Sequence, residues 1–175
     1  MPIPLEFSRP LAPEHVPLEG TSVHLAASAA ECGLLARRFE LVDLTRLEGD
    51  VRVVPMAGVD TLHVSGHLSA DVVQSCVVTL DPVSARVETD FDRLFSRDVP
   101  DEVEGEVEID PEAEAPEPLV GGMLDLGEIL AEELSLALDP YPRSPEADRL
   151  LAEQQDDADE TRRSPFATLD SLRRH

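Results

Sequence analysis

The chain has 175 residues, 42% of them hydrophobic and only 3% aromatic, which is enough for one folded domain with a core built mainly from Leu, Val, Ala and Phe. Its formal net charge is −23, and every Lys or Arg position is an arginine. Because the phosphates of a nucleic acid repel such a chain, this charge argues against strong direct nucleic-acid binding and favours a basic partner.

The first 56 residues are predicted to contain three strands and one helix. The strands are expected at residues 3–8, 22–26 and 51–56. In the segment SAAECGLLARRFEL, Ser28 precedes Glu31 by three residues, which is the spacing of a helical capping box. The apolar residues that follow recur at helical intervals and form one stripe, which consists of Cys32, Leu35, Ala36 and Phe39.

A long alternating stretch follows. From residue 62 to residue 80 apolar and polar side chains alternate, which predicts a strand longer than usual, with a bend near Gly66 or Ala70. The next two residues supply a turn, and residues 83–91 resume the alternation. Residues 72–91 are therefore predicted to form a hairpin. The second strand directs one face toward the core, namely Val83, Ala85, Val87, Thr89 and Phe91.

The segment DVPDEVEGEVEIDPEAEAPEP, residues 98–118, differs from the rest of the chain. It contains ten acidic residues, four prolines and no basic residue. This composition is typical of a solvated or disordered segment, although part of it alternates and is compatible with a short strand. It is either a solubilising insert or an acidic docking surface. In the second case the partner-binding residues are expected to be Glu102, Glu104, Glu106, Glu108 and Asp110.

A second helix is predicted in LDLGEILAEELSLALDPYPR. Asp125 is placed to cap it, and Pro140 ends it. Its apolar stripe consists of Leu126, Ile129, Leu130, Leu134 and Ala137. Glu133 lies at the edge of this stripe and is expected to be exposed.

The chain closes with the amphipathic segment SPFATLDSLRR. Ser164 is a candidate helix cap, with Pro165 at the first helical position. Phe166 and Leu169 lie on one side of the segment. It is either a tail that docks on its own domain or a partner-binding motif, and in the second case Phe166 and Leu169 are its anchors.

Together these elements predict an α+β fold, in which a few helices pack on an antiparallel β-sheet that is either an open meander or barrel-like. Residues 1–97 and 119–143 are assigned to a single α+β domain, residues 98–118 to an acidic insert or linker, and residues 144–175 to a flexible tail with a short amphipathic segment. No segment has the pattern of a signal peptide or a membrane span, so we expect a cytoplasmic protein without membrane contact.

The cysteines and histidines show no arrangement for catalysis or metal binding. Cys76 falls on the apolar face of the predicted long strand, so an inert buried thiol is expected. His63 and His67 fall on the opposite face, about 13 Å apart in a straight strand, and are expected at the surface. The sequence contains no Gly-rich phosphate loop, nucleophile elbow or HExxH motif. We therefore expect no catalytic residue, no metal ligand and no cofactor, and hence a protein that is not an enzyme.

Four blocks occur in a recognisable order, SAAECGLLARRFEL, VSGHLSADVVQSCVVTLDPV, LDLGEILAEELSLALDPYPR and SPFATL. Together they resemble the YceD family, the large-subunit ribosomal RNA accumulation proteins, and within it the alphaproteobacterial branch. The resemblance implies a role in the accumulation or processing of 23S ribosomal RNA, and hence in large-subunit biogenesis. It supplies no catalytic residue. Many members carry a second cysteine three positions after the first, whereas this chain has Thr79 there.

Two hypotheses follow about how the protein reaches that role. In the first, it is a non-enzymatic factor that binds a basic large-subunit ribosomal protein, since the family's gene often lies beside the gene of such a protein. In the second, it binds ribosomal RNA or a pre-ribosomal particle directly. The second hypothesis requires a local basic face, for which the candidates are Arg37, Arg38, Arg46 and Arg52.

Overall fold

The computed structural model describes residues 6–56, 60–97 and 116–152. The strands found in these residues are β1 (Pro10–Leu11), β2 (Thr21–Ala26), β3 (Asp43–Pro55), β4 (Thr61–Ser75), β5 (Pro82–Ser96), β6 (Glu117–Pro118) and β7 (Leu124–Asp125). The helices are α1 (Ala29–Arg38), α2 (Leu126–Ala137) and α3 (145–152). Short 3-10 segments lie at Pro13–His15 and Val120–Gly122.

Five strands form one sheet in the order β2-β3-β4-β5-β6, and β1 pairs with β7 in a separate two-stranded sheet. β2, β3 and β4 pair antiparallel, while the two residues of β6 run parallel to the end of β5. The predicted α+β class is confirmed. Among the described strands β2 and β6 are the two edges of the sheet, so it is an open meander and the barrel-like alternative is not realised.

The alternation in the long strands places one face of the sheet in the core. Leu47, Val51 and Val53 of β3 are buried, as are the alternate residues Leu62, Val64, Leu68, Ala70 and Val72 of β4. β4 is not interrupted at the predicted position, since it continues as one strand through Gly66 and Ala70. The irregularity lies in the partner strand, where the pairing shifts between Leu44 and Arg46. An extra residue in β3 takes up the twist that so long a pair of strands accumulates.

Gly66 allows β4 and β5 to pack closely. A Cβ atom at this position would lie 2.6 Å from Cζ of Phe91 and 2.6 Å from the carbonyl oxygen of Asp50. Both distances are shorter than a non-bonded contact permits, so the ring of Phe91 occupies the space that any larger residue would need.

Both predicted helices are present and begin at the predicted caps. At the start of α1 the Ser28 hydroxyl accepts from the Glu31 amide at 3.3 Å, and the Glu31 carboxylate accepts from the Ser28 amide at 2.7 Å, which confirms the capping box. At the start of α2 Asp125 Oδ1 accepts from the amides of Gly127 and Glu128 at 3.0 and 3.1 Å. The stripe of α2 is buried from Leu126 to Leu134, and α2 ends three residues before Pro140.

Internal contacts divide the chain into two compact units. The first unit comprises Met1–Gln74 and Ser84–Pro140, and the second comprises Ser75–Val83 and Tyr141–His175. In the second unit α3 lies within the segment predicted as a tail. Ser144 caps this helix, since its hydroxyl accepts from the Ala147 amide at 3.2 Å and the residue after it is a proline.

Some expectations concern residues outside the described ranges. The strand predicted at residues 3–8 is described only from residue 6, and residues 6–8 are not in a strand. Most of the acidic segment and the amphipathic C-terminal segment also lie outside the described residues, so their predictions stay predictions. Within the described ranges, none of the helices has both the length and the apolar character needed to cross a membrane.

Candidate functional site

A cation interrupts the apolar face of β5. Phe91 and Phe95 are buried on the core face of this strand, and Arg93, which lies between them in the alternation, points the same way. Only 16% of the Arg93 side chain is exposed. A guanidinium at the margin of a core needs acceptors, because burying an unpaired charge is costly.

Three carboxylates surround the Arg93 guanidinium. Glu117 of β6 receives a two-point interaction, with Nε donating to Oε1 at 2.8 Å and Nη2 donating to Oε2. Nη1 donates to Oε2 of Glu132 at 2.7 Å and lies 3.5 Å from Oε1 of Glu133, both on α2. The Arg93 Cζ atom lies 5.0 Å from the centre of the Phe95 ring. Arg93 thus ties β5 to β6 and α2 through charge-assisted hydrogen bonds and a cation–π contact.

Of the three carboxylates around Arg93, that of Glu133 is the least exposed. Only 14% of its side chain is exposed. Its burial raises the pKa of Glu133, the neighbouring Glu132 and Glu117 raise it as well, and Arg93 opposes them without restoring the ordinary value. Burial is thus the main reason why the pKa of Glu133 is raised. The sequence-based expectation that Glu133 is exposed is wrong, because β5 and β6 cover the edge of the helical stripe.

A trough runs along α2 beside this cluster, entirely within the first unit. Its first depression, about 410 Å³, has an apolar floor formed by Phe95, Leu119, Leu124 and Ile129, with Met123 at its edge. Its second depression, about 480 Å³, is lined by Glu133, Ser135 and Leu136 among others. The two depressions share Arg93, Glu117 and Glu132, so they lie next to each other along α2, and we call them together the trough.

The rim of the trough is acidic. Its first depression is lined by Glu117, Asp125, Glu128 and Glu132, with Arg93 as the single cation. Three of these acids lie on one face of α2 because Asp125, Glu128 and Glu132 are spaced by three and four residues. Residues 116–137 contain five acidic residues and no Arg, Lys or His. Such an arrangement can accommodate a basic segment with an apolar side chain, whereas it repels an anionic ligand.

The partner-binding residues predicted from sequence are not the ones that form this trough. Glu102, Glu104, Glu106, Glu108 and Asp110 lie outside the described residues, as do Phe166 and Leu169. The structure adds Arg93, Glu117 and Glu132, which the sequence reasoning missed. The sequence did contain an indication of Arg93, because the period-two alternation of β5, continued beyond Phe91, places this arginine on the apolar face.

Three of the four arginines proposed as an RNA-binding face are engaged with acidic or polar groups. Arg38 of α1 contacts Glu6 and makes a two-point interaction with Glu128, at 2.9 and 2.6 Å. Arg46 of β3 also donates hydrogen bonds to two carboxylates, those of Glu48 and Asp71. Arg52 donates to the backbone oxygen of Glu19 at 3.1 Å and to the Ser22 hydroxyl at 3.5 Å, while Arg37 is exposed. Neither Arg38 nor Arg46 therefore offers an unopposed charge to a phosphate.

Cys76 is buried, as predicted, but it is not in a strand. β4 ends at Ser75, and residues 76–81 form a turn in the second unit in which Val78 and Leu80 are exposed. The Cys76 Sγ atom accepts backbone N–H groups from Val78 at 3.5 Å, Thr79 at 3.4 Å and Ser144 at 3.3 Å. The alternation of the sequence could not show this turn, because apolar residues continue the period-two pattern through it.

The surroundings of Cys76 favour a thiolate. Burial of the thiol raises its pKa, but the hydrogen bonds that it accepts from Thr79, Ser144 and Val78 outweigh this effect and lower the pKa of Cys76 to about 6. Within the described residues, no group of three or more His, Cys, Asp and Glu side chains is placed to hold a metal ion. The three hydrogen bonds to Sγ link the turn to Ser144 within the second unit.

His63 and His67 lie on the polar face of the sheet, as predicted. His63 contacts Asp92 at 2.6 Å and His67 contacts Asp90 at 2.7 Å, in both cases across β4 and β5. Each histidine thus has an acidic neighbour on β5, and the two form separate pairs.

Comparison with known proteins places the chain in a family. A family model described as large ribosomal RNA subunit accumulation protein YceD matches residues 64–173, which is more than half of the chain. This match covers most of β4, the whole of β5 and α2, and the residues of the trough from Arg93 to Leu136. Searches of curated proteins and of solved structures gave no match. On the strength of the family match, the chain belongs to the YceD family of large ribosomal RNA subunit accumulation proteins.

Proposed function

We propose that this protein is a non-enzymatic factor that supports 23S ribosomal RNA accumulation and large-subunit biogenesis by binding a basic ribosomal protein. Membership of the family supports the role in ribosomal RNA accumulation. The surplus of carboxylates in the trough along α2 is the observation that carries the binding mechanism. We further propose that the protein acts in the cytoplasm and needs no cofactor.

The charge of the chain supports a protein partner over RNA. The proposed partner is a ribosomal protein with a surplus of positive charge. A chain with a net charge of −23 attracts it over a long range, and the attraction weakens as salt increases. The same charge repels ribosomal RNA, and Arg38 and Arg46 already face carboxylates. The partner would be released when ribosomal RNA, with its denser negative charge, competes for it.

An affinity pull-down from cell lysate tests this proposal. The full chain is immobilised at low salt, with and without RNase, and the retained proteins are identified by mass spectrometry. We expect a small basic large-subunit protein to remain bound after RNase treatment and to be released by added salt. Loss of all ribosomal proteins together upon RNase treatment would contradict the proposal and would indicate that the protein binds a pre-ribosomal particle.

A second measurement tests the role in ribosomal RNA accumulation. Depletion of the protein in its host should lower the amount of mature 23S RNA relative to 16S RNA, because large-subunit assembly would stall. Re-expression of the wild-type protein should restore the ratio. An unchanged ratio in depleted cells would contradict the role in this organism while leaving the binding experiment to be judged on its own result.

A further inference from the structure

The shape and the charge of the trough together restrict what can bind there. Its first depression is closed below by side chains that are almost fully buried, with Phe95 at 6% exposure, Leu124 at 1% and Ile129 at 4%. These residues form a firm apolar floor, and a depression of about 410 Å³ lies within the range typical of ligand pockets. A single apolar side chain of a partner can therefore enter it and lose contact with water.

Exposed apolar residues lie at both ends of the trough. Met123, at the edge of the first depression, is 40% exposed, and Leu136, in the second depression, is 79% exposed. Methionine adapts its shape to different partners, and Leu136 adds exposed apolar surface in the second depression. The apolar surface therefore extends beyond the Arg93 cluster on both sides.

Carboxylates flank this apolar path along its whole length. Asp125 and Glu128 lie beside the first depression, Glu133 lies beside the second, and Glu117 and Glu132 border both. The first depression has a single cationic lining residue, and the same residue, Arg93, is the cation of the second. Arg93 faces three of these carboxylates with a single charge, and Glu128 is paired with Arg38.

We infer that the trough binds a short basic segment of the partner protein, with one apolar side chain in the first depression and flanking Arg or Lys side chains against the carboxylates of the rim. This inference rests on the proposed function and assigns it to a surface. A second copy of the chain or its own acidic segment is a poor occupant, because both add negative charge to a negative rim. A basic segment supplies the complementary charge.

Two synthetic peptides test the inference by fluorescence anisotropy with the full chain at low salt. One has a single leucine flanked by two arginines on each side, and the other has serine in place of the leucine. We expect the leucine peptide to bind about tenfold more tightly, which corresponds to about 1.4 kcal/mol, because only the leucine side chain can bury apolar surface on the floor. Met123→Ser should reduce the difference in affinity between the two peptides, because it removes apolar surface at the edge of the floor.

Matched charge variants locate the binding site. Glu117→Gln combined with Glu132→Gln removes two rim charges, and Glu19→Gln combined with Glu88→Gln removes two charges from exposed positions outside the trough. The rim variant should weaken both peptides at least fivefold, and the control variant should weaken them less than twofold. Circular dichroism confirms that each variant is folded before its affinity is interpreted.

The outcomes separate this inference from the proposed function. Equal affinity for the two peptides, or an equal effect of the two charge variants, would overturn the assignment to the trough. If a basic large-subunit protein is still retained from lysate in that case, the proposed function stands and its surface lies elsewhere. If neither the peptides nor any basic ribosomal protein binds, both ideas fail.

Discussion

Replacement of Arg93 by methionine should destabilise the first unit by about 1.5–3 kcal/mol near neutral pH. Methionine keeps most of the apolar stem but removes the guanidinium from three carboxylates. Two of these, Glu117 and Glu132, are 46% and 43% exposed, so their interactions with Arg93 are screened and contribute only about 0.2–1 kcal/mol each. Glu133 is 14% exposed, and its charge would be left without a partner. Loss of the contact with the Phe95 ring adds roughly 0.5–1 kcal/mol.

The effect of this substitution should depend on pH. The pKa of Glu133 is raised in the folded state, so its contribution to stability is present at low pH and is lost as the pH rises through the folded pKa. Arg93 lowers this pKa, and its removal raises it further. The cost of Arg93→Met should therefore be greatest above the further raised pKa of Glu133 in the variant and should shrink as the pH falls from there to the pKa of Glu133 in the wild-type protein. Addition of Glu133→Gln to the variant should recover part of the lost stability at neutral pH.

Urea denaturation followed by circular dichroism measures these free energies of unfolding. The matched control is Arg86→Met on the same strand, where the Arg86–Glu88 pair is exposed on both sides. We expect this control to cost less than about 0.5 kcal/mol. A cost for Arg93→Met no larger than that of the control, or a cost that stays constant with pH, would refute the reasoning.

Two further predictions follow from close contacts and from the cysteines. Gly66→Ala should destabilise the fold by roughly 1–3 kcal/mol, because the new Cβ would lie 2.6 Å from the Phe91 ring. Gly33→Ala in α1 should instead stabilise the fold by about 0.5–1 kcal/mol, because its Cβ would meet nothing within 4 Å. Chemical denaturation of both variants measures whether the two free energies of unfolding change in opposite directions. In a Cys32→Ser variant, the ultraviolet absorbance of the remaining thiolate should appear with a midpoint near the pKa of about 6 of Cys76. In a Cys76→Ser variant the thiolate absorbance should appear only at alkaline pH, because burial raises the pKa of Cys32. Equal midpoints in the two variants would contradict the hydrogen bonds assigned to Cys76.

Local patterns determined the helices and most of the strands. The serine–glutamate spacing at Ser28 and the aspartate at residue 125 define helix starts through contacts within a few residues, so they could be predicted from the chain alone. The alternation in β4 likewise predicted which face is buried, because the side-chain direction of a strand repeats every two residues. In β5 the prediction holds for Phe91, whereas Ala85 on the same predicted face is exposed. Local patterns did not show that Cys76 begins a turn, since the three N–H donors to its sulfur include one from Ser144, 68 residues away.

The charge and the family blocks, read from the sequence by themselves, determined the kind of protein this is, an acidic member of a family named for ribosomal RNA accumulation. Tertiary structure alone decided where an acidic surface forms among the described residues. Glu117 and Glu132 are separated from Arg93 by 24 and 39 residues, and neither is distinguishable in the sequence from the other acids of the chain. They form one cluster with Arg93 because β6 pairs with β5 in the sheet and because Glu132 of α2 contacts Arg93 of β5. Sequence patterns report periodicity within one element, whereas a trough is defined by the meeting of several elements.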